Sequence, residues 1–354
     1  MITILAFYER ISLFHTMEPF FLPRFRNLFT ITDNIEWCLT KDSNKILIIE
    51  RLFKDDSIPD INLFIKIKNK YQTIAFFDGY AAAGTHNIEL LPYSDFYFHK
   101  SIFSDYSLYT KKLYAGRLFA HYYHEKYNVT DSIAPYTPES NLTLQDAQKI
   151  QLSWNIGLGT YPRYHFPQRV GVFFARNGFL RFSRLFSNGK LKKPFDYSSF
   201  NRVIPVNARF GMIKSESVNY QRKLIKEKIV NDERFVSNTV SQNHFYKELN
   251  QSKIVLSPFG WGEVCFRDFE AIVSGSMLLK PSMDHLVTWP NIYVPYETYV
   301  PIDWDASDLF EKTDYYLQHH DERQKIAKNA WESYNDQRNQ LENRFETILN
   351  QILR

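Results

Sequence analysis

Arg267 and Glu270 stand three residues apart in the stretch 253–281, KIVLSPFGWGEVCFRDFEAIVSGSMLLKP. A guanidinium is a permanent planar cation that grips phosphate oxygens as a fork. An ionised carboxylate only accepts hydrogen bonds, which suits it to a pair of hydroxyls. Three residues apart on a helix, the two side chains face the same way. With the helix read back to Glu263, the residues Glu263, Arg267, Glu270 and Ser274 fall at i, i+4, i+7 and i+11 and form a polar stripe. Cys265, Phe266, Phe269, Ile272 and Val273 form the apolar face opposite. One cation between two carboxylates suits a diphosphate and a ribose diol. The plainer alternatives are a surface i,i+3 pair worth a few tenths of a kcal/mol and, for Glu263, simple compensation of the helix dipole.

The flanking elements place this stripe. An apolar strand, Lys253–Leu256, runs into the loop Ser-Pro-Phe-Gly-Trp-Gly, then the helix, then a second strand, Met277–Leu279. A helix entered through a Gly loop at the carboxyl end of a parallel strand holds phosphate with its free amides. Trp261 and Gly262 sit in that loop, where Trp261 is placed to wall a base or sugar pocket.

The rest of the chain reads as two further series of the same kind. Ile2–Phe7, Lys45–Ile49, Thr73–Phe77 and Asp95–Phe98 are strands, with helices at Asn34–Thr40 and Asp60–Lys70. Near-continuous apolar strands separated by helices indicate a parallel sheet covered on both faces. Asp78, His86 and Glu89 follow the third strand and face the cleft outside its carboxyl end, with Asp95 and His99 behind them. Asp78 fits a loop-capping role as well as a catalytic one. Glycines 157 and 159 and prolines 162 and 167 mark an interdomain crossing. Beyond it the spacing predicts strands at Arg169–Phe174, Val203–Asn207 and Arg234–Asn238, and helices at Val218–Val230 and Asn243–Asn250. Arg176 and Arg209 then lie just past strand ends, as phosphate ligands or as ordinary salt bridges. Lys223 and its basic neighbours from Arg222 to Lys228 read as one solvated helix face. The chain is helical and highly charged from Ser307 onward.

At 354 residues the chain exceeds one ordinary core. The expected division is 1–165, 166–335 and a C-terminal helix, 336–354, turned back onto the first domain. A hydrophobic content of 44% with 23% charged residues excludes a disordered chain. A net charge of +4 is too mild to argue for nucleic acid, and no nucleic-acid partner is expected. It leaves open a shallow attraction to the inner face of an anionic membrane. Two cysteines give no disulfide framework, and the ten His show no metal-ligand spacing, so no metal site is expected. The start lacks a signal-peptide pattern, and no apolar run reaches bilayer length, so a cytoplasmic or membrane-face location is expected.

The segment SPFGWGEVCFRDFEAIVSGSMLLKP resembles the donor-binding segment of GT-B glycosyltransferases, and its Arg267-x-x-Glu270-Ala271 spacing is most similar to the exostosin-like branch. DGYAAAGTHNIELLPYSD and His285-Leu286-x-Thr288-Trp289-Pro290-Asn291 resemble phrases of bacterial surface-polysaccharide glycosyltransferases. The resemblance implies an α/β fold of two Rossmann-like doubly wound domains facing a cleft. It implies transfer from a nucleotide-sugar (UDP-, GDP- or CMP-linked) to an acceptor hydroxyl on a glycan or lipid-linked glycan, with no tightly bound cofactor. Arg267 would pair with the diphosphate and Glu270 with the ribose. The Glu-x7-Glu pair of one retaining group is absent, since position 262 is Gly262 and the spacing is Glu263-x6-Glu270. That favours inversion, with Asp78 or His86 as base. A nucleotide-sugar 2-epimerase and a non-catalytic glycan- or nucleotide-binding partner are the alternatives.

Overall fold

The computed structural model describes residues 1–50, 60–84, 87–135, 137, 142–161, 166–186 and 202–354. The first half supplies β1 (Ile2–Leu5), β2 (Phe29–Thr32), β3 (Ile46–Ile49), β4 (Thr73–Asp78), β5 (Phe96–His99), β6 (Ser101–Phe103) and β7 (Ile150–Leu152). All but β6 join one parallel sheet in the order β2-β1-β3-β4-β5-β7. The second half supplies β8 (Ile204–Asn207), β9 (Phe235–Val236), β10 (Ser252–Leu256), β11 (Met277–Pro281), β12 (Leu286–Thr288) and β13 (Val300–Ile302). All but β12 form a second parallel sheet, β13-β11-β10-β8-β9. Both sheets therefore begin with the same doubly wound order, 2-1-3-4-5. Each has its strand reversal beside its first strand, between β1 and β3 and between β8 and β10. Ligands bind outside the carboxyl ends of strands at such reversals.

The central strands are almost fully buried because helices cover both faces of each sheet. The first sheet packs on one side against Phe14, Phe20, Phe21 and Trp154 and on the other against Phe64, Ile67 and Tyr109. The strand expected at Arg169–Phe174 is the middle of a helix, Phe166–Arg176. Its buried positions Gln168, Gly171, Val172 and Ala175 recur at helical period. Val172, Ala175 and Leu180 join the core of the first sheet, as do Leu341, Phe345, Ile348 and Ile352 of the last helix. The buried apolar side chains of 166–180 thus pack with the N-terminal sheet.

Strand pairing and side-chain hydrogen bonds hold the two halves together. β6 and β12 form an antiparallel ribbon, with Leu286 opposite Phe103 and Thr288 opposite Ser101. Asn155 Nδ2 donates to Thr288 Oγ1 at 2.5 Å and to the Pro290 carbonyl at 3.0 Å. Arg338, on the helix His320–Asn339, donates to the carbonyls of Gly157, Leu158 and Gly159. Gly157 is needed at this crossing, since a Cβ there would lie 2.5 Å from the Phe269 ring.

Candidate active site

A cleft of about 860 Å³ lies between the carboxyl ends of the two sheets, a volume typical of small-ligand sites. Its second-domain wall carries Gly211, Arg222, Gly260, Trp261, Gly262 and Arg267. The facing wall carries Arg10, Glu50, Asp78, Lys100, Ser101 and Arg117.

On the second-domain wall, the helix starts at Phe266, not at Glu263. Cys265 is its N-cap, and the Asp268 side chain accepts from the Cys265 amide at 2.9 Å. Glu263 is therefore off the helix and does not complete the polar stripe. It is fully buried, with His285 Nε2 3.8 Å from its Oε1. Among the described residues neither Glu263 oxygen finds a hydrogen-bond donor.

A second acid one turn on holds the loop instead. Asp268 and Lys280 form a fully buried ion pair at 3.2 Å. Asp268 also accepts from Ser257 Oγ at 2.5 Å and from Tyr293 Oη at 2.6 Å. These donors satisfy the carboxylate, so the charge can stay buried. Its burial beside Asp268 drives the Tyr293 phenol well above its ordinary range.

Arg267 reaches the cleft and donates to the Arg209 carbonyl at 2.9 Å, while its buried Nε has no acceptor among the described residues. Burial, and then the charge of Arg222, bring it down to about 10. Arg222 sits on the helix Glu216–Ile229 but is buried, unlike exposed Lys223 and Lys228, so the expected solvated face is split. It donates to the Phe259 carbonyl at 2.6 Å and to the Gly211 carbonyl at 2.5 Å. Burial lowers its affinity for a proton as well. Both guanidinium groups thus bond carbonyls, and among the described residues neither makes an ion pair. The Phe210 ring lies 5.9 Å from Arg222 and 5.8 Å from Arg267, with Lys226 at 4.8 Å. Three cations around one ring leave a net positive corner at the mouth of β8 and β10.

Glu270, Arg209 and Arg176, also expected as ligands, do not line the cleft, whereas Trp261 and Gly262 do. Glu270 is buried one turn beyond Arg267, accepts from Tyr246 Oη at 3.3 Å, and does not line this cleft. Arg209 closes on Glu248, with Nη2 2.7 Å from Oε1, so its fork is occupied. Arg176 ends the helix Phe166–Arg176 and donates to the Glu9 carbonyl at 2.8 Å, away from this wall. Trp261 is exposed at the mouth, its carbonyl accepting from Arg117 Nε at 2.8 Å. Gly262 packs against the backbone of Ala81 across the cleft.

On the facing wall, Asp78 caps a loop. Its Oδ1 accepts from the Tyr80 amide at 3.0 Å, and Oδ2 from the Asn87 amide at 2.8 Å and Tyr97 Oη at 2.5 Å. His86 lies outside the described residues. Glu50, directly after β3, has no motif to announce it. It is 3% exposed, accepts from Thr16 Oγ1 at 2.6 Å, and is pushed by burial up to about 8. Among the described residues no three His, Cys, Asp or Glu gather to hold a metal ion, and no helix is long and apolar enough to cross a membrane.

Residues 219–350 match the family model described as glycosyl transferase-like. That span runs from the helix bearing Arg222 to the last helix and includes the whole loop of Trp261 and Arg267. This part of the chain is similar to a glycosyltransferase-like domain, and the two sheets together have a GT-B fold. An α-glucosyltransferase solved with UDP and a 13-mer DNA containing an HMU base has a similar fold, with a TM-score of 0.51 and 11% identity, covering 100% of this chain and 99% of its own. Also similar are HepE of Anabaena in complex with UDP-glucose, at 0.46 and 8% identity, and WaaG, a glycosyltransferase involved in lipopolysaccharide biosynthesis, at 0.40 and 12%. Each of these two covers 99% of this chain and 99% of its own. No curated protein matches this sequence.

Proposed function

We propose that the chain transfers a sugar from a UDP-sugar to the hydroxyl of a glycan acceptor by direct displacement at the anomeric carbon. One observation carries the reading: Arg222 and Arg267 place two cations without carboxylate partners at the strand reversal of the second sheet. That corner suits a diphosphate, whose charge grows as the sugar departs and which preorganised donors then stabilise. UDP is preferred among nucleotides because the α-glucosyltransferase of similar fold was solved with UDP. Glu270 takes the ribose only if the donor reaches past Arg267. Trp261 offers its exposed ring to the base or the sugar.

Deprotonation of the acceptor falls to the first domain. Asp78 is committed to its loop, so we assign the proton to Glu50, with Lys100 and Ser101 beside it on the same wall. A carboxyl titrating near neutrality is well matched to general-base work. The acceptor is a surface glycan; the mild net charge argues against DNA, although the α-glucosyltransferase was solved with it.

Calorimetric titration with UDP, GDP and CMP tests the donor site. UDP is expected to bind, and Arg267→Ala to weaken it; no binding of any nucleotide would remove the reading. Incubation with UDP-glucose alone separates transfer from epimerisation, because a change in the sugar without acceptor points to an epimerase.

A further inference from the structure

The segment 166–186, FPQRVGVFFARNGFLRFSRLF, contains six Phe and four Arg and no acid. In a helix on a soluble domain the largest apolar side chains turn inward. Here the order is reversed. The helix Phe166–Arg176 buries Gln168, Gly171, Val172 and Ala175 against the first domain. Phe166 is 77% exposed, Phe173 62%, Phe179 52%, Phe182 44% and Leu185 65%. The outward rings are contiguous: Phe174 lies 6.0 Å from Phe173, 6.3 Å from both Phe179 and Phe182, and 5.5 Å from Phe186. A patch of this kind on a soluble protein marks a contact surface.

The charge around it says with what. Arg169, Arg176 and Arg181 are exposed and Arg184 half-buried beside the rings. Arg181 lies 5.5 Å over Phe182. Arg176 donates to the Glu9 carbonyl, and Asp33 shares the surroundings of Tyr8 with Arg184. The segment itself carries four arginines and no acid, which leaves the face positive. Aromatic rings flanked by arginines are the pattern that sinks to the headgroup level of an anionic bilayer, the rings entering the acyl boundary and the cations staying with the phosphates. A second copy of the chain would bring four like charges against four. A protein partner would need a matching acidic groove, which this face does not carry for itself.

We propose that residues 166–186 form a docking face for an anionic phospholipid bilayer. The backing is rigid: Tyr8 Oη donates to the Leu180 carbonyl at 2.8 Å and pairs with Ser183 Oγ at 2.7 Å. A Cβ at Gly171 would lie 2.5 Å from the Phe14 ring, so the helix is seated directly on its neighbour. That neighbour, Ile11–Thr16, contributes Ser12 and Leu13 to the cleft. The face therefore flanks the first-domain side of the cleft, where a lipid-borne acceptor would arrive. The binding itself does not depend on the transferase reading.

Co-sedimentation of the full chain with vesicles tests it. Vesicles of equal parts phosphatidylcholine and phosphatidylglycerol are expected to carry the protein down, and phosphatidylcholine vesicles are not. The pair Arg181→Gln and Arg184→Gln should weaken binding about thirty-fold, about five-fold per arginine. The triple change Phe173→Ser, Phe179→Ser and Phe182→Ser should abolish it at any charge, while circular dichroism and UDP binding stay as in the parent. Three results would overturn the proposal. One is no binding to anionic vesicles, and another is equal binding by the variants. The third is a concentration-dependent dimer, or binding to single-stranded DNA, that the same variants abolish while vesicle binding persists.

Discussion

Gly262 on the loop after β10 and Ala81 on the loop after β4 meet so closely that a Cβ on Gly262 would overlap the Ala81 carbonyl. The loop bearing Trp261 is thus keyed to the opposite domain through backbone. Gly262→Ala must separate the two walls or bend one of them, and overpacking of this kind costs about 1–3 kcal/mol. We expect that variant to fold, to melt a few degrees lower, and to lose affinity for UDP without a change in Arg267. Calorimetric titration beside a thermal melt checks this, and unchanged affinity would show that the walls part freely.

Arg267→Ala should weaken UDP binding by about ten- to a hundred-fold, the loss expected for charge-assisted hydrogen bonds. Arg267→Lys should recover little, since a single ammonium cannot repeat the planar fork. Arg222→Ala should behave similarly but cost stability too, because its guanidinium ties Phe259 to Gly211. Arg176→Ala is the control. Its side chain holds Glu9, and UDP affinity should not move.

Most of the fold was legible because the strands are runs of apolar residues, and ILII or KIVL admits few readings. The helix Phe166–Arg176 was not, because RVGVFF is locally as apolar as a strand, and only the longer spacing of Gln168, Gly171, Val172 and Ala175 shows its period. The site was less legible than the fold. The place of Arg267 on the cleft wall was readable from its loop, and that of its neighbour Arg222 was hidden in a basic helix. What buries Arg222 is the 259–260 backbone, nearly forty residues away. Glu50 had no spacing to reveal it. Its raised carboxyl comes from burial, against which the Thr16 hydrogen bond acts. Glu263 was read as helical because the stripe continued through it, but the Cys265–Asp268 cap starts the helix later.

Asp268 and Lys280 offer a test of what fixes the loop of Trp261. Breaking a fully buried, hydrogen-bonded pair by removing one partner costs about 3–5 kcal/mol. Asp268→Ala should therefore destabilise the chain more than any single change on the cleft surface. The double change Asp268→Asn with Lys280→Met should recover part of that loss, since no charge is left buried. Urea unfolding of the three proteins gives the comparison. A double variant less stable than Asp268→Ala would mean that the pair is net stabilising rather than merely matched.

Glu50 links pH to both stability and turnover. Its carboxyl is raised from an ordinary 4.5 to about 8 by burial. Below 4.5 the folded and unfolded chains both hold the proton, and the group contributes its full share. Between 4.5 and about 8 only the folded chain holds it. Stability then falls with rising pH, by up to about 1.4 kcal/mol per pH unit from this group. Above about 8 the loss is complete. Glu50→Gln should remove that slope, so the difference in unfolding free energy between parent and variant changes across this window and is flat outside it. Turnover should run the other way: kcat/KM rises with pH as Glu50 ionises and levels off above about 8. Glu50→Gln should lose about a hundred-fold or more at the plateau, the usual worth of a general base, while UDP affinity is kept. A variant with the parent's pH profile and rate would return the proton to another group of that wall.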